Sequence, residues 1–122
     1  MATAKIRVWL DEELQLVRQR VEGDMDGEDF SELMRRTDES AKRLRDPGFI
    51  RILVDGRRLG KPSPEVRRLA LCTMDLPTLG KMAVWGTNAF ARTMFAFLTL
   101  VTRRTNVKTF RTEREARSWL LE

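Results

Sequence analysis

The sequence predicts an α/β fold, a single mixed β-sheet of about five strands with four helices, in the order β-β-α-β-α-β-α-β-α, as one domain over residues 1–122. Three observations predict it. "AKIRVWL" alternates Ile6, Val8 and Leu10 against Arg7, Trp9 and Asp11, the period of two of a half-buried strand. "FIRILVDG" is a nearly continuous apolar run with β-branched residues, as a central strand covered on both sides requires. From there on, helices with clear start signals alternate with strands, which implies parallel crossovers after an opening hairpin.

Each element follows from its residues. "ELQLVRQRVEG" follows as a second strand, and the acidic pair Asp11-Glu12 between the two suits a hairpin turn. Asp26 and Gly27 lead into a helix whose first turn carries Glu28 and Asp29, favourable at the positive end of its dipole. Phe30, Leu33, Thr37, Ala41 and Leu44 recur along it at helical spacing, and "DPG" at 46–48 stops it. The third strand, "FIRILVDG", is followed by a loop. Ser63 then stands as N-cap with Pro64 at the first helical position, and Val66, Leu69, Ala70 and Thr73 give that helix a core face. "DLPTLG" ends it, "KMAVWG" is a fourth strand and "NVKTFRT" a fifth. Thr112 caps a last helix, with Glu115 completing a capping box and Ala116, Trp119 and Leu120 facing inward. Ile52 and Val84 fall in central strands.

At 122 residues, with 42% apolar and 34% charged residues, the chain can bury a core without disulfide or metal support. It has one cysteine and no histidine, so zinc, haem and Cys–His or Ser–His chemistry lose their usual groups. No catalytic constellation and no cofactor site are read from it. The N-terminal segment has no signal-peptide pattern, which makes a cytoplasmic location the default expectation. The net charge of +5 is unevenly placed: residues 1–45 hold 9 Lys/Arg against 11 Asp/Glu, and residues 46–122 hold 14 against 7. Such a basic half can attract an anionic partner through its field, but solvated arginines are the favoured explanation. Nucleic acid is not expected as a partner, because the basic half lacks both the clustered aromatics of single-strand binders and a reading helix.

The segment "KMAVWGTNAFARTMFAFLTLVTRR" raises the functional question. Its helix is apolar around most of its circumference, yet from Ala89 to Val101 it has thirteen residues with Arg92 among them, too few for the ~20 that a bilayer core needs. A helical wheel centred on Phe90 puts Met94, Phe97, Leu98 and Val101 on the same face, expected to be core. Phe95 and Leu100 flank it, and Phe95 is expected to remain accessible for a partner, a second copy or an apolar ligand. Phe95, Phe90, Met94 and Leu98 therefore form the candidate docking or ligand surface. Arg103 and Arg104 at the helix end also suit a membrane-surface helix.

Other candidates have structural alternatives. A phosphate on Ser63 would sit at a helix N-terminus with Arg57, Arg58 and Lys61 to pair it, whereas capping alone explains the same serine. Gly86, Thr87 and Asn88 make a strand-to-helix turn whose amides could bind an anion, and capping explains them too. "GRRLGK" is not a Walker loop. Asp55 has no visible partner for acid–base work and reads as a turn residue. Cys72 reads as a buried, inert thiol.

The order of elements, with "GDMDGEDFSELM" before the first helix, "ILVDGRRL" before a capped helix, and the closing "KMAVWGTNAFARTMFAFL…VKTFRTEREARSWL", resembles the SpoIIAA-like branch of the STAS-like fold over roughly residues 5–121. The resemblance implies helices mainly on one side of the sheet, no enzymatic activity, and a protein-docking or regulatory module, as in a partner switch. The partner would be another protein or a second copy of the chain. In the anti-sigma-antagonist branch a kinase phosphorylates a Ser or Thr at the start of the helix after the third strand, and Ser63 is the nearest residue here. The sequence lacks that branch's Asp-Ser-Ser-Gly-type signature, and Pro64 follows the serine directly. Comparison of SpoIIAA-like proteins with lipid-transfer folds adds a second expectation: an apolar ligand, a lipid or an anionic membrane surface bound through the long apolar helix.

Overall fold

The computed structural model describes residues 4–74, 77–103 and 105–122, without the side chains of Pro62, Thr73, Met74, Leu98 and Thr102. Ten elements follow in order: β1 (Lys5–Asp11), β2 (Leu16–Met25), α1 (Gly27–Ala41), β3 (Ile50–Asp55), β4 (Leu59–Pro62), α2 (Pro64–Met74), β5 (Leu79–Trp85), α3 (Ala89–Thr102), β6 (Val107–Phe110) and α4 (Glu113–Leu120). The strands form one mixed sheet in the order β1-β2-β3-β5-β6, with β4 beside β2. β1 and β2 are the antiparallel hairpin, and the β2–β3, β3–β5 and β5–β6 pairs are parallel.

The sheet has one strand more than the sequence predicts. The loop expected after β3 contains β4, which pairs with the far end of β2 through Gly23↔Leu59 and Met25↔Pro62. "LGKP" carries no alternation of its own; the partner strand imposes its conformation.

The register sorts the strand residues onto two faces. Trp9, Arg18, Leu53, Ala83 and Lys108 lie in one row across the sheet, and Arg7, Arg20, Asp55, Trp85 and Phe110 in the next. Because side chains alternate along a strand, Lys5, Arg7, Arg18, Arg20, Arg51, Lys81 and Lys108 share this face with Asp11, Glu22 and Asp55. The other face presents Val17, Val21, Ile52, Val54 and Val84, all buried. Helices α1, α2 and α3 lie on that apolar face. Val17, Ile52, Val54 and Val84 pack with Ala41 at the end of α1 and with Leu44 in the turn that follows it, while Val21 and Met25 pack with Phe30 and Leu33 of α1 and Val66 of α2. Helix α4 alone lies on the charged face, where Ala116 and Leu120 bury Leu16, Leu53 and Ala83.

The helix starts behave as their sequences predict. Asp26 and Asp29 make a reciprocal capping box on α1, the Val66 amide donates to Ser63 Oγ at 3.2 Å, and the Glu115 amide donates to Thr112 Oγ1 at 3.2 Å. On the outer side of α1, Arg35 and Arg36 both pair with Glu32. Their hydrogen bonds hold the Glu32 carboxyl down at about 2. Arg36 also donates to the Ile6 carbonyl at 3.0 Å, which occupies an acceptor on the free edge of β1 and discourages pairing with a foreign strand.

Two expectations about burial are corrected. Cys72 is exposed. In α3 the predicted inward stripe is overturned in part: Met94 does face the interior, but Phe90, Phe97 and Val101 are 59%, 62% and 59% exposed, and Leu100, expected on a flank, is 77% exposed. The helix instead turns Ala91, 5% exposed, toward the sheet, and Phe95 packs against the core beside Val54 and Val84. The reason is that the few polar residues of α3, Arg92, Thr93 and Thr99 among them, do not form a continuous strip that would fix its rotation. The small Ala91, with Met94 and Phe95 one turn on, allows closer approach than the bulky Phe90 stripe. The side chain of Leu98 lies outside the described residues. Thr73, expected on the core face of α2, does too.

Truncating the core and the exposed helix face should therefore have opposite consequences. Leu53→Ala is expected to cost about 2–5 kcal/mol, as for a fully buried leucine. Phe97→Ala should change stability by no more than about 0.5 kcal/mol. Urea unfolding of the two variants distinguishes this orientation of α3 from the reverse.

Candidate functional site

On the apolar side of the sheet, α3 roofs a cavity of about 110 Å³. Val21, Val54, Met82 and Val84 form its floor, α1 and α2 contribute Phe30, Leu33 and Ala70 to its sides, and Met94 and Phe95 close it from above. The polar groups at its margin are Gln19 and Arg67. The Gln19 amide is buried and already donates to Thr37 Oγ1 at 2.8 Å. Such a lining excludes water rather than ordering it. Helix α3 thus presents large apolar residues both to the cavity and to solvent, the latter beside the exposed Arg92 and Thr93.

The sequence-predicted site residues separate into several places. Ser63 is an N-cap: its Oγ accepts from Val66, and its own amide donates to the Met25 carbonyl at 3.2 Å. Arg57 is committed to Asp55, with Nη2 at 2.9 Å from Oδ2, and its guanidinium lies 4.6 Å from the centroid of Trp85. Arg58 lines the cleft beside Arg20 and Glu22, whereas Lys61 lines another with Asn88, Phe90 and Met94. The turn at 86–88 spends its groups on the fold. The Gly86 amide donates to the Phe110 carbonyl, and Asn88 Oδ1 accepts from the Ala91 amide at 2.8 Å. Gly86 has φ +78°, which favours glycine. Thr87 is buried, its methyl packed where a Cβ on Gly56 would stand, and its hydroxyl has no partner among the described residues.

The charged face holds a cluster that sequence reasoning missed. Asp55 is 8% exposed and accepts from Arg20 Nε at 3.2 Å, Arg57 Nη2 at 2.9 Å and the Arg57 amide at 3.2 Å. Burial pushes its carboxyl up, but the hydrogen bonds and charge of Arg57, with the bond from Arg20, outweigh burial and hold it below the usual carboxylate range. Beside it Arg18 bridges Asp11 at 2.9 Å and Glu113 at 2.6 Å. Trp9 and Trp85 border one small cleft together with Arg18, Arg20 and Arg57. The one local signal was "VDGRR", an acid followed by two arginines; Arg20, Trp9 and Glu113 come from distant segments.

Comparison with known proteins now has a geometry to meet. The SpoIIAA-like family model matches residues 16–121. The chain belongs to the SpoIIAA-like family. A solved structure of an uncharacterised DUF3478-family protein with a SpoIIAA-like fold, from Shewanella loihica PV-4, superposes with a TM-score of 0.70 at 17% identity. It covers 98% of this chain and 95% of its own. At that identity the likeness establishes the fold. No curated protein matches the sequence. The family fits the predicted sheet and helices, and it leaves the roles of Ser63, Phe95 and the 86–88 turn in this SpoIIAA-like chain to be argued from their surroundings.

Two measurements follow. Because Asp55 has a lowered pKa when folded, its pairing contributes fully above the ordinary carboxylate range near pH 4 and is lost as pH falls through the folded value. Asp55→Asn should cost about 1–2 kcal/mol at pH 7, discounted because both arginines are partly exposed. Its stability should converge with the parent's below about pH 4, as followed by thermal unfolding across pH. Ser63→Ala should cost about 1 kcal/mol and Ser63→Asp should retain most of the cap, as read by urea unfolding.

Proposed function

We propose that the chain is a non-enzymatic module of the STAS-like type that works at an anionic membrane surface, seating the outer face of α3 in the interface and holding an apolar group in the cavity beneath. The observation that carries this reading is that α3 presents large apolar residues on both sides. Met94 and Phe95 face the cavity, and Phe90, Phe97, Leu100 and Val101 stand in solvent. A helix that only completed a core would carry polar residues outward. No helix among the described residues is long and apolar enough to cross a membrane, so α3 would lie along the surface, not span it.

The choice of an anionic surface rests on charge. No acidic residue occurs between Asp75 and Glu113, and α3 with the residues that follow it contributes Arg92, Arg103 and Arg104, whereas Lys81 and Lys108 belong to the opposite face of the sheet. An isologous contact between two copies of α3 would bring cations against their own copies. An anionic lipid surface attracts them instead, by about 1 kcal/mol for each basic residue near it. The cavity of about 110 Å³ takes a small apolar group. A longer acyl chain requires α3 to lift, and the membrane would receive the face thereby displaced. The non-enzymatic part of the reading rests on Asp55, whose two oxygens are already committed to Arg20 and Arg57.

Co-sedimentation with phosphatidylserine-containing and purely phosphatidylcholine vesicles tests the proposal. The protein should bind the first, bind the second weakly, and lose affinity as salt rises. Phe97→Glu and Leu100→Glu should keep the thermal transition of the parent and abolish vesicle binding. A parent protein that leaves both vesicles unbound, while α3 variants alter association with another protein, would replace the membrane with a protein partner.

A further inference from the structure

The charged face of the sheet, opposite α3, is a second surface with its own chemistry. Helix α4 buries Leu16, Leu53 and Ala83, leaving the β1–β2 side of this face free of a helix. Trp9 stands on that open part and Trp85 at its border, where it also packs against the α4 cluster, and arginines lie against both rings. The Arg7 guanidinium lies 4.7 Å from the Trp9 centroid and that of Arg20 lies 5.9 Å from it, while Arg57 stacks at 4.6 Å on Trp85. Trp9 and Trp85 border the same cleft, although β1 and β5 are three strand spacings, about 14 Å, apart. A wider cleft lined by Arg20, Glu22, Asp55, Arg57 and Arg58 continues from it and shares three residues with it. Arg7 and Arg58 make no ion pair among the described residues.

We infer that this open sheet face binds single-stranded nucleic acid, with bases stacked on the Trp9 ring and on the Arg57 guanidinium over Trp85, and phosphates on Arg7 and Arg58. Sheet faces suit single strands because unstacked bases lie flat on aromatic rings or guanidinium planes while cations follow the backbone. Both elements are here, Trp9, Trp85 and Arg7 on strands and Arg58 on the turn between β3 and β4. A duplex cannot offer base faces to a nearly flat surface, so discrimination against double strands is the signature of stacking. An acidic protein would satisfy the arginines but would offer no planar group to stack on the Trp9 ring or on the Arg57 guanidinium. The absence of clustered aromatics in the sequence argued against such a ligand; the fold supplies the cluster by bringing residues 9 and 85 to one cleft. The inference stands apart from the membrane reading, because α3 lies on the other face of the sheet.

The test uses the full chain, fluorescein-labelled oligo(dT) and oligo(U), and a hairpin duplex of the same charge, by anisotropy at low and moderate salt. Single strands should bind, quench tryptophan fluorescence, and weaken with salt at a logarithmic slope of about −0.7 for each phosphate neutralised. The duplex should bind about tenfold less well, given the stacking contribution. Trp9→Leu should lose about tenfold in affinity and Trp9→Phe should restore most of it, which a merely structural role would not reproduce. Arg7→Glu with Arg58→Glu should lower affinity and flatten the salt slope, whereas Phe97→Glu should leave binding unchanged. Equal affinity for duplex, for polyglutamate or for the Trp9→Leu variant overturns the inference, as does the absence of single-strand binding at low salt.

Discussion

The structure depends on covering β3 from both sides. Ile52 and Val54 point toward α1 and its C-terminal end, and Leu53 points the other way, toward α4. A strand with apolar residues on both faces and no alternation can sit only where helices cover it twice. That requirement brings the last helix of the chain back across the sheet to the face that α1, α2 and α3 leave open. Helix α4 is short, Glu113–Leu120, and it covers what the buried strands need. β1 and the outer part of β2 lie beyond its reach, and they carry arginine, tryptophan and carboxylate instead of aliphatic side chains. Covering the centre with a small helix thus dictates the polar character of the periphery.

The charges on this periphery hold one another in place. Arg18 between Asp11 and Glu113 ties the hairpin to the start of α4, and Asp55 between Arg20 and Arg57 ties β2 to the turn after β3. Both pairs sit at strand ends beside tryptophans, where partial burial strengthens them relative to fully exposed pairs. Arg51 Nε and Lys81 Nζ add hydrogen bonds to the carbonyls of Leu120 and Trp119 at 2.9 and 3.0 Å. These carbonyls belong to the last turn of α4, where cations satisfy acceptors that the helix leaves open. The charged face therefore anchors α4 at both ends as well as accepting water.

The features legible in the sequence are those written in a few neighbouring residues. Caps at Asp26, Ser63 and Thr112, the alternation in β1 and the apolar run of β3 each have a local cause, and the elements appear where those causes put them. Three features resisted for stated reasons. β4 is made by its neighbour and not by its own residues. The rotation of α3 was undetermined because periodicity discriminates only when one side is polar. The Trp9–Arg20–Asp55–Trp85 neighbourhood joins four segments, and only the strand register makes them adjacent.

Turning most of the predicted stripe of α3 outward changes what its sequence has to explain. Were Phe90, Phe97 and Val101 in the core, their size would be accounted for by folding, and Phe95 alone would need another reason. With Ala91 and Phe95 inside, the large residues outside contribute almost nothing to the stability of the isolated chain. An exposed apolar stripe on a monomer favours self-association. The surrounding tract opposes it, because cations without a single acidic residue from 76 to 112 repel a second copy brought face to face. Attraction to an anionic surface and repulsion from another copy are consequences of the same charges. An apolar stripe with such flanks is thereby directed toward a negatively charged interface, while the arginines and tryptophans of the opposite face remain turned away from it.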